Sequence, residues 1–345
     1  MRSDRSTKIS SISRTREIPE PGEGSASLAA AGTTISDFSR TREAGGIFER
    51  SASSIREQLL QSEWLRPSDA YGWRAILRNV LPLFALLGLA PALAGVHAFL
   101  PWLLSPAIGL FLYRITIVMH DCTHHTLFVS RKMNTRVGGL LGAVSGVDFH
   151  SFCLQHWKHH RLYGRAGDPQ AFHYADLARM TRGQLRRHLA KPLLGLNLRS
   201  VVAESLLAPR NLARSLRTGE IALVILVQVA MLTLVTGLGR YPLLALLPFA
   251  SGATFALFFS QLRGIAEHGV LDGSDPYIVR SHQPSWLDRA LLYDLNFNHH
   301  AEHHAHPQIP SCHLPAVQRA TGTQPAPRSM FGTLHAMFEE RRRHV

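Results

Sequence analysis

Three long stretches without a charged side chain limit the folds open to this 345-residue chain. They cover residues 80–113, 221–239 and 241–262. A helix needs roughly 20 apolar residues to cross a bilayer, and buried helices of soluble proteins rarely run this long without a charge. The first stretch is too long for one crossing, and Pro101 indicates a turn near its middle. The sequence therefore predicts an all-α integral membrane protein with four transmembrane helices in two hairpins, at about 80–97, 102–119, 221–239 and 241–262.

The distribution of lysine and arginine predicts how this bundle lies in the membrane. Residues 1–79 hold 12 of these cations, residues 120–219 hold 15 and residues 263–345 hold 8. The turns between paired spans hold only Arg240. Because cytoplasmic loops carry the excess of Lys and Arg, both termini and the long middle loop are expected in the cytoplasm. We expect the membrane to be a bacterial inner membrane. This asymmetry also explains the net charge of +13, so the charge indicates no nucleic-acid partner.

Composition divides the chain into three parts. Residues 1–60 are rich in Ser, Arg, Gly and Thr and poor in aromatics, which predicts a disordered tail. Residues 61–315 form the expected membrane domain. Within it, residues 137–147 are apolar but too short to cross a bilayer, which is typical of a re-entrant or interfacial helix. Residues 316–345 are expected to form a cytoplasmic C-terminal tail.

Histidines are concentrated near the predicted cytoplasmic ends of the spans. The pattern His-x-x-His-His occurs twice, as His156, His159 and His160 and again as His300, His303 and His304. A third group, HDCTHH, contains His120, His124 and His125, and His268 follows the fourth predicted span. Residues at i, i+3 and i+4 share one face of a helix, so each group presents several imidazoles to one point.

These imidazoles predict a site for more than one metal ion. Neutral imidazole is the commonest protein ligand for Zn, Cu, Fe and Ni, and about ten of them are too many for one ion. A structural zinc site would use four ligands. The chain has only three cysteines and no C-x-x-C pair, which argues against iron–sulfur clusters and Cu(I) sites. We therefore predict a cytoplasmic helical cap that carries a histidine-rich dinuclear metal site, most simply two irons that handle O2 beside an apolar substrate.

HDCTHH, HWKHH and HHAEHH resemble the three histidine boxes of the membrane fatty acid desaturase superfamily, which also includes hydroxylases and ketolases. The resemblance covers about residues 75–315. It implies a di-iron centre that uses O2 as co-substrate and two electrons to remove hydrogens from an unactivated alkyl chain. In the first box either of the adjacent histidines fits the family spacing. The implied metal ligands are His120, His124 or His125, His156, His159, His160, His268, His300, His303 and His304.

Other residues are candidates for supporting roles. Asp121, Asn298, His299 and Glu302 lie within or beside the boxes, where a polar group can orient a ligand imidazole through its other nitrogen. Some members of the superfamily carry Asn one helical turn before the extra histidine, and this chain has Gly264 there.

The spans themselves offer three candidates. Ala253 and Ala256 are small residues in the fourth predicted span, and we expect them to line a slot for the alkyl chain. Arg114 lies inside the second predicted span, where a bare charge is costly. We expect its guanidinium to reach the cytoplasmic surface or to meet a polar group of the substrate.

The sequence thus predicts a membrane-bound, O2-dependent fatty acid desaturase-like enzyme of lipid metabolism. It shows no His-Pro-Gly-Gly signature and no cysteine set for an electron carrier, so a separate donor of the ferredoxin, rubredoxin or cytochrome b5 type is expected. A hydroxylase or ketolase of a lipid, carotenoid or alkane, or a desaturase of a secondary metabolite, would share the fold and stays open. A non-enzymatic metal carrier is disfavoured, because transporters place ionisable ligands within the membrane rather than at the ends of the spans.

Overall fold

Helices are the only regular secondary structure in the part of the chain that the structure, a computed structural model, describes, and turns and loops connect them. That part comprises residues 63–200, 219–269, 279–323, 325 and 328–340. No strand occurs among these residues, and all of them belong to one compact unit. The all-α prediction is therefore confirmed for this part of the chain. The expected disordered tail at residues 1–60 lies outside the described residues.

Two long helices form the first predicted hairpin. Helix α1 runs over Asp69–Val96, and a short 3-10 segment at Leu100–Leu104 leads into α2, Ser105–Thr123. The hydroxyl of Ser68 accepts a hydrogen bond from the backbone N–H of Tyr71 and so caps α1. Helix α1 begins about three turns before the predicted start at residue 80, because its first turns bury residues against the rest of the protein, including Ala75, Ile76 and Asn79.

A sharply bent helix pair follows. Helix α3, Arg131–Ser145, and helix α4, Phe149–Leu162, meet at an angle of 99°. Gly146 closes α3 with φ of +69°, a left-handed conformation that glycine adopts without strain. The carboxylate of Asp148 then caps α4 by accepting from the N–H of Ser151. By length and composition the pair is either a broken span or a re-entrant loop, the second of which matches the prediction for residues 137–147.

Two short helices follow this pair in the described residues 163–197. They are α5, Ala171–Tyr174, and α6, Arg182–Ala190. Thr181 and Gln184 form a reciprocal capping box at the start of α6. A 3-10 turn at Pro192–Leu194 follows and packs against the last long helix.

The second predicted hairpin has one short and one long member. Helix α7, Glu220–Val235, has only 16 residues, fewer than the roughly 20 needed to cross a bilayer. The long member runs without a break from Pro242 to His268. It contains α8, Leu246–Ser251, a π-helical turn at Gly252–Ala256 and α9, Leu257–His268.

Three helices of the described residues are therefore long and apolar enough to span a membrane. They are Glu63–Val96, Leu100–Thr123 and Pro242–His268, and the bent pair raises the number to four if it counts as one span. Three of the four predicted spans thus coincide with helices of sufficient length. The third, predicted at 221–239, coincides with a shorter apolar helix, so the arrangement of four spans in two hairpins stays a prediction.

Residues 279–340 supply four more helices among those that the structure describes. They are α10, Trp286–Leu291, α11, His300–Ala305, α12, Leu314–Thr321, and α13, Met330–Glu340. Helix α13 packs against α9 and buries Met330, Leu334 and Met337 in the main hydrophobic core. Residue 315 lies inside α12, and the described part of residues 316–345 contains the end of α12 and the packed helix α13. The predicted domain boundary and the cytoplasmic location of this region stay predictions.

Candidate metal centre

The first histidine box lies where α2 ends. His120 is in the last turn of α2, and His124 follows the helix in a right-handed conformation. His125 has φ of +58°, which turns the chain away, and its side chain is exposed. Asn134 then holds the following loop by accepting from the N–H groups of Leu127 and Phe128, each at 3.1 Å. The chain therefore turns inward at His124 and outward at His125.

The second box occupies the C-terminal half of α4. His156, His159 and His160 stand at i, i+3 and i+4, so they share one face of this helix. His156 and His159 are almost fully buried. This face is directed at the end of α2, where the ring of His156 packs edge-on against the ring of His120 with centroids 4.1 Å apart.

The third box and the extra histidine come from the C-terminal half of the chain. His268 is the last residue of α9, and His300, His303 and His304 lie on the six-residue helix α11. The hydroxyl of Ser281 accepts from the N–H of Ala301 at 3.0 Å and also donates to a carboxylate oxygen of Glu302. These contacts hold the short helix in place.

Nine imidazoles from these segments form two adjacent groups. In each group, one ligand atom from every residue lies within 4.8 Å of the others. The first group consists of His120, His124, His156, His160 and His303, and the second of His159, His268, His300 and His304. Every histidine that the family resemblance implies is thus present except His125, and His124 is the residue of the adjacent pair that joins a group.

Contacts between ring nitrogens indicate that these groups fit metal ions. The Nε2 atom of His156 lies 2.8 Å from the Nε2 atoms of both His124 and His160, and the Nε2 atoms of His268 and His300 are 3.0 Å apart. Both ring nitrogens of His120 and of His304 are buried without a hydrogen-bond partner. Converging lone pairs and unpartnered buried nitrogens are unfavourable by themselves, and a cation in each group would satisfy them.

Burial also keeps the imidazoles in the form that binds metal. It lowers the pKa of His124 to about 3, with the neighbouring His160 adding repulsion. Burial and neighbouring imidazoles hold the pKa values of His303 and His304 well below the usual range. These rings are therefore neutral at pH 7, as a metal ligand must be.

Two carboxylates that the sequence did not single out touch ligand imidazoles. Asp168 Oδ1 lies 3.0 Å from Nδ1 of His159, and the hydroxyl of Tyr174 donates to its other oxygen. Burial alone would raise the pKa of Asp168, but the hydrogen bonds from His159 and Tyr174 lower it, so this carboxylate is ionised. An anion on Nδ1 fixes the His159 tautomer that leaves Nε2 free for a metal.

Glu267 is the second of these carboxylates. Its Oε2 lies 3.3 Å from Nε2 of His300, and its Oε1 accepts from Nε of Arg263 at 2.7 Å. The carboxylate therefore faces the second histidine group while a buried guanidinium balances its charge. Its position directly before His268 is the sequence signal that could have identified it.

The supporting residues expected from the sequence occupy other positions. Asp121 accepts from the hydroxyl of Ser311 at 2.5 Å, and its nearest approach to His120 Nδ1 is 3.8 Å, beyond hydrogen-bond distance. Asn298 donates to the backbone carbonyl of His282 at 3.2 Å. No hydrogen bond from Glu302 or His299 to a ligand imidazole is present among the described residues. Asp121, Asn298 and Glu302 thus brace the boxes through hydroxyl and backbone contacts.

A cavity of about 260 Å³ opens beside both groups. Its apolar wall contains Tyr113, Ile117, Val147, Phe152, Phe172, Ala256 and Leu257. Five of the nine clustered histidines also line it, namely His120, His156, His159, His268 and His300. Ala256 lines the cavity, whereas Ala253 is not among its lining residues, and their expected role in a slot for the alkyl chain stays a prediction.

Gly264 lies on the same cavity. A Cβ atom at Gly264 would meet Cβ of His173 at 3.1 Å, so His173 occupies the space beside this position.

Comparison with known proteins gives the family of this arrangement. A family model described as fatty acid desaturase matches residues 97–330, a range that includes all nine clustered histidines. The chain belongs to the fatty acid desaturase family. The family resemblance of the three boxes is thereby confirmed, and family membership supports an oxidoreductase of lipid metabolism.

Three relatives illustrate the similarity. An omega-3 fatty acid desaturase, chloroplastic, from Glycine max is 31% identical over 102 residues, which are 29% of this chain and 22% of the relative. An sn-2 acyl-lipid omega-3 desaturase (ferredoxin), chloroplastic, from Helianthus annuus is 30% identical over 102 residues, 29% of this chain and 23% of the relative. A Delta(12) fatty acid desaturase from Mortierella isabellina is 31% identical over 64 residues, which are 19% of this chain and 16% of the relative. The alignments thus cover less than a quarter of the length of each of these relatives.

Proposed function

We propose that this protein is a membrane-bound di-iron oxidoreductase that introduces a double bond into a fatty acyl chain, using O2 and two electrons from a separate donor. The observation that carries the proposal is the pair of histidine groups beside an apolar cavity. The named activities of the relatives, all desaturases of fatty acids or acyl lipids, support the substrate class.

The nine histidines form two sets of candidate metal ligands. His120, His124, His156, His160 and His303 would hold one iron, and His159, His268, His300 and His304 would hold the other. Bound iron would supply the O2 chemistry that oxidises an unactivated C–H bond. Asp168 orients His159, and Glu267 places a carboxylate oxygen beside the second group, balanced by Arg263. Imidazole is a suitable ligand for iron, and both groups consist of histidines alone.

The cavity positions the substrate. Its side chains Tyr113, Ile117 and Phe152 offer an apolar wall to an alkyl chain, and His120 and His156 border the same space. A chain bound there lies against the metal ligands with water excluded by the wall. The protein needs no side-chain base for this reaction, because its contributions are ligands, an apolar wall and a fixed register of the chain.

The location of the protein follows from the same features. We propose an integral protein of a bacterial inner membrane with both termini and the metal centre on the cytoplasmic side, in line with the excess of Lys and Arg outside the hairpin turns. All nine ligands then face the side on which a soluble donor of the ferredoxin, rubredoxin or cytochrome b5 type is available. One relative carries ferredoxin in its name, which favours that donor class.

The test is a comparison of lipids and metabolites in a host that expresses the chain with those in a host that expresses the His303→Ala variant. A new unsaturated acyl chain that depends on His303 supports the proposal. A hydroxylated or ketone product would move the protein to the hydroxylase or ketolase branch of the same fold. The two hosts could also give identical lipid profiles although the purified protein carries about two irons per chain. That result would contradict an acyl substrate in the host.

A further inference from the structure

A second cavity, of about 420 Å³, lies on α6 and the segments beside it. We call it the basic pocket, and its lining residues are Asp176, Arg179, Met180, Gln184, Arg187, His188 and Lys191. None of these residues belongs to the metal centre or to the cavity beside it. Its chemistry is therefore separate from the proposed reaction.

The pocket carries a surplus of positive charge. Gln184, Arg187, His188 and Lys191 lie at i, i+3, i+4 and i+7, so they share one face of α6. Arg179, Arg187 and Lys191 are exposed, and none of the three forms an ion pair with a described residue. Asp176 is the single carboxylate in the lining. Three cations against one anion leave an open site that attracts an anionic group.

Exposed leucines follow directly after this pocket. Leu193, Leu194, Leu196 and Leu198 are all exposed, Leu194 to 72%. A run of four exposed leucines is costly in water and is typical of a surface that meets a membrane.

The attachment of this segment places the leucines at the flank of a span. The 3-10 turn Pro192–Leu194 packs against the π-helical turn Gly252–Ala256, in the middle of the long helix Pro242–His268. Asn197 donates to the side chain of Gln261, and Nε2 of Gln261 donates to the carbonyl of His188 at 2.6 Å. The leucines therefore stand beside a membrane-spanning helix, with the basic pocket adjoining them.

We propose that the basic pocket and the four leucines form a binding site for an anionic phospholipid. The phosphate group lies between Arg187 and Lys191, and the acyl chains lie along Leu194 and Leu196. A soluble acidic protein would match the cations but would leave the leucines in water. Free phosphate or the phosphates of a soluble cofactor share the anion chemistry but make no use of the apolar half of the site. The combination of charge and exposed leucines at a span favours a lipid.

The experiment measures binding of short-chain lipids to the purified full chain in neutral detergent. Native mass spectrometry follows titrations with dioctanoyl phosphatidylglycerol, with dioctanoyl phosphatidylcholine and with inorganic phosphate. Phosphatidylglycerol is expected to bind more tightly than phosphatidylcholine, and its affinity should fall with rising salt. The R187Q/K191Q variant should bind phosphatidylglycerol roughly thirty-fold more weakly, because each cation near an anionic lipid contributes about a fivefold gain in affinity.

The R182Q/R186Q variant is the matched control. It removes the same charge from the same helix at two positions that do not line the pocket. Its affinity for phosphatidylglycerol should equal that of the unchanged protein. The single variants Arg187→Gln and Arg186→Gln repeat the comparison at two exposed neighbours, so a loss of folding cannot explain a difference. Equal losses in the pocket and control variants would overturn the site.

The apolar half of the site has its own test. The L194Q/L196Q variant should lose affinity for phosphatidylglycerol while weak binding of inorganic phosphate is unchanged. If inorganic phosphate displaces the lipid at equal concentration, the site is a phosphate site and the lipid proposal fails. The lipid proposal also fails if R187Q/K191Q slows the reduction of the metal centre by an acidic ferredoxin while lipid binding stays intact. In that case the basic pocket binds the electron donor.

Discussion

Arg114 and Asp294 form an ion pair across 180 residues of sequence, with Nη2 of Arg114 3.2 Å from Oδ2 of Asp294. Arg114 lies inside the second span, and Asp294 lies in the segment that leads to the third histidine box. The expectation that Arg114 reaches the cytoplasmic surface or meets the substrate is wrong, because its side chain is buried against this carboxylate. Arg78 and Asn79 of α1 donate to the same carboxylate. The buried carboxylate of Asp294 therefore links α1, α2 and the segment that leads to the third box.

We expect Asp294→Asn to destabilise the protein by about 3 kcal/mol, because it leaves the buried guanidinium of Arg114 without its counter-charge. Thermal unfolding in detergent measures the change. The double variant Arg114→Met/Asp294→Leu removes both charges and should lose less stability than Asp294→Asn alone. If the double variant is as unstable as the sum of its single variants, the two residues are not coupled and the role of this pair is contradicted.

The same pair shows why the sequence predicted some features and missed others. The spans and the boxes depend on local patterns, namely runs without charge and the i, i+3, i+4 spacing, so both could be predicted. The N-terminal turns of α1 lie outside the predicted span, because the charge-free stretch begins only at residue 80 and the partner of Arg78 lies 216 residues away. Long-range pairs leave no periodic trace in one sequence.

The choice between His124 and His125 was open for a different reason. Both fit the spacing of the box, and the decision rests on the backbone at the end of α2, where His125 takes a left-handed conformation. Asp168 was missed because the turn that returns it to His159 has no distinctive pattern. Family resemblance predicted which histidines gather, whereas the carboxylates that orient them depend on the three-dimensional path of the connecting segments.

The adjacent histidines give a matched pair of variants. We expect His124→Ala to lose the iron of the first group, lowering the iron content from about two per chain to about one or less, because it removes one of five convergent nitrogens. His125→Ala should keep both irons, because its exposed ring lies outside both groups. Metal analysis of the purified variants measures this. Equal iron contents in the two variants would contradict the assignment of His124.

Asp168→Asn tests the carboxylate that orients His159. The amide keeps the size of the side chain but loses the negative charge that accepts from Nδ1, so we expect iron affinity and turnover to fall by roughly 10- to 100-fold. Glu302→Gln is the control, because Glu302 contacts Ser281 and Gln318 rather than a ligand ring. Iron retention during dialysis against a chelator measures the affinity. A larger loss in Glu302→Gln than in Asp168→Asn would reverse the roles of the two carboxylates.

The metal-free protein should lose stability in mild acid. The folded state holds the pKa of His124 at about 3 and those of His303 and His304 well below 6.5, whereas in the unfolded chain these rings titrate near 6.5. Between pH 6.5 and about 3 the unfolded chain thus binds more protons than the folded protein. As the pH falls through this range, each such ring lowers the free energy of unfolding by about 1.4 kcal/mol per pH unit. Above pH 6.5 these rings contribute no slope. Thermal unfolding from pH 8 to 5 tests this, and constant stability down to pH 5 would contradict the buried neutral state.

The cavity beside the metal centre makes the last prediction specific to one of two neighbouring alanines. Ala256 lines the cavity and Ala253 does not, although both lie in the same π-helical turn. A tryptophan at Ala256 would fill part of a space of about 260 Å³ next to Leu257, so we expect Ala256→Trp to shift the modified position or to shorten the preferred acyl chain. Ala253→Trp should leave selectivity unchanged. Product analysis on acyl chains of several lengths measures both, with iron content confirming that the centre is intact. Unchanged selectivity in Ala256→Trp with both irons retained would remove this wall from the substrate path, and a shift in Ala253→Trp alone would place the path on the other side of the helix.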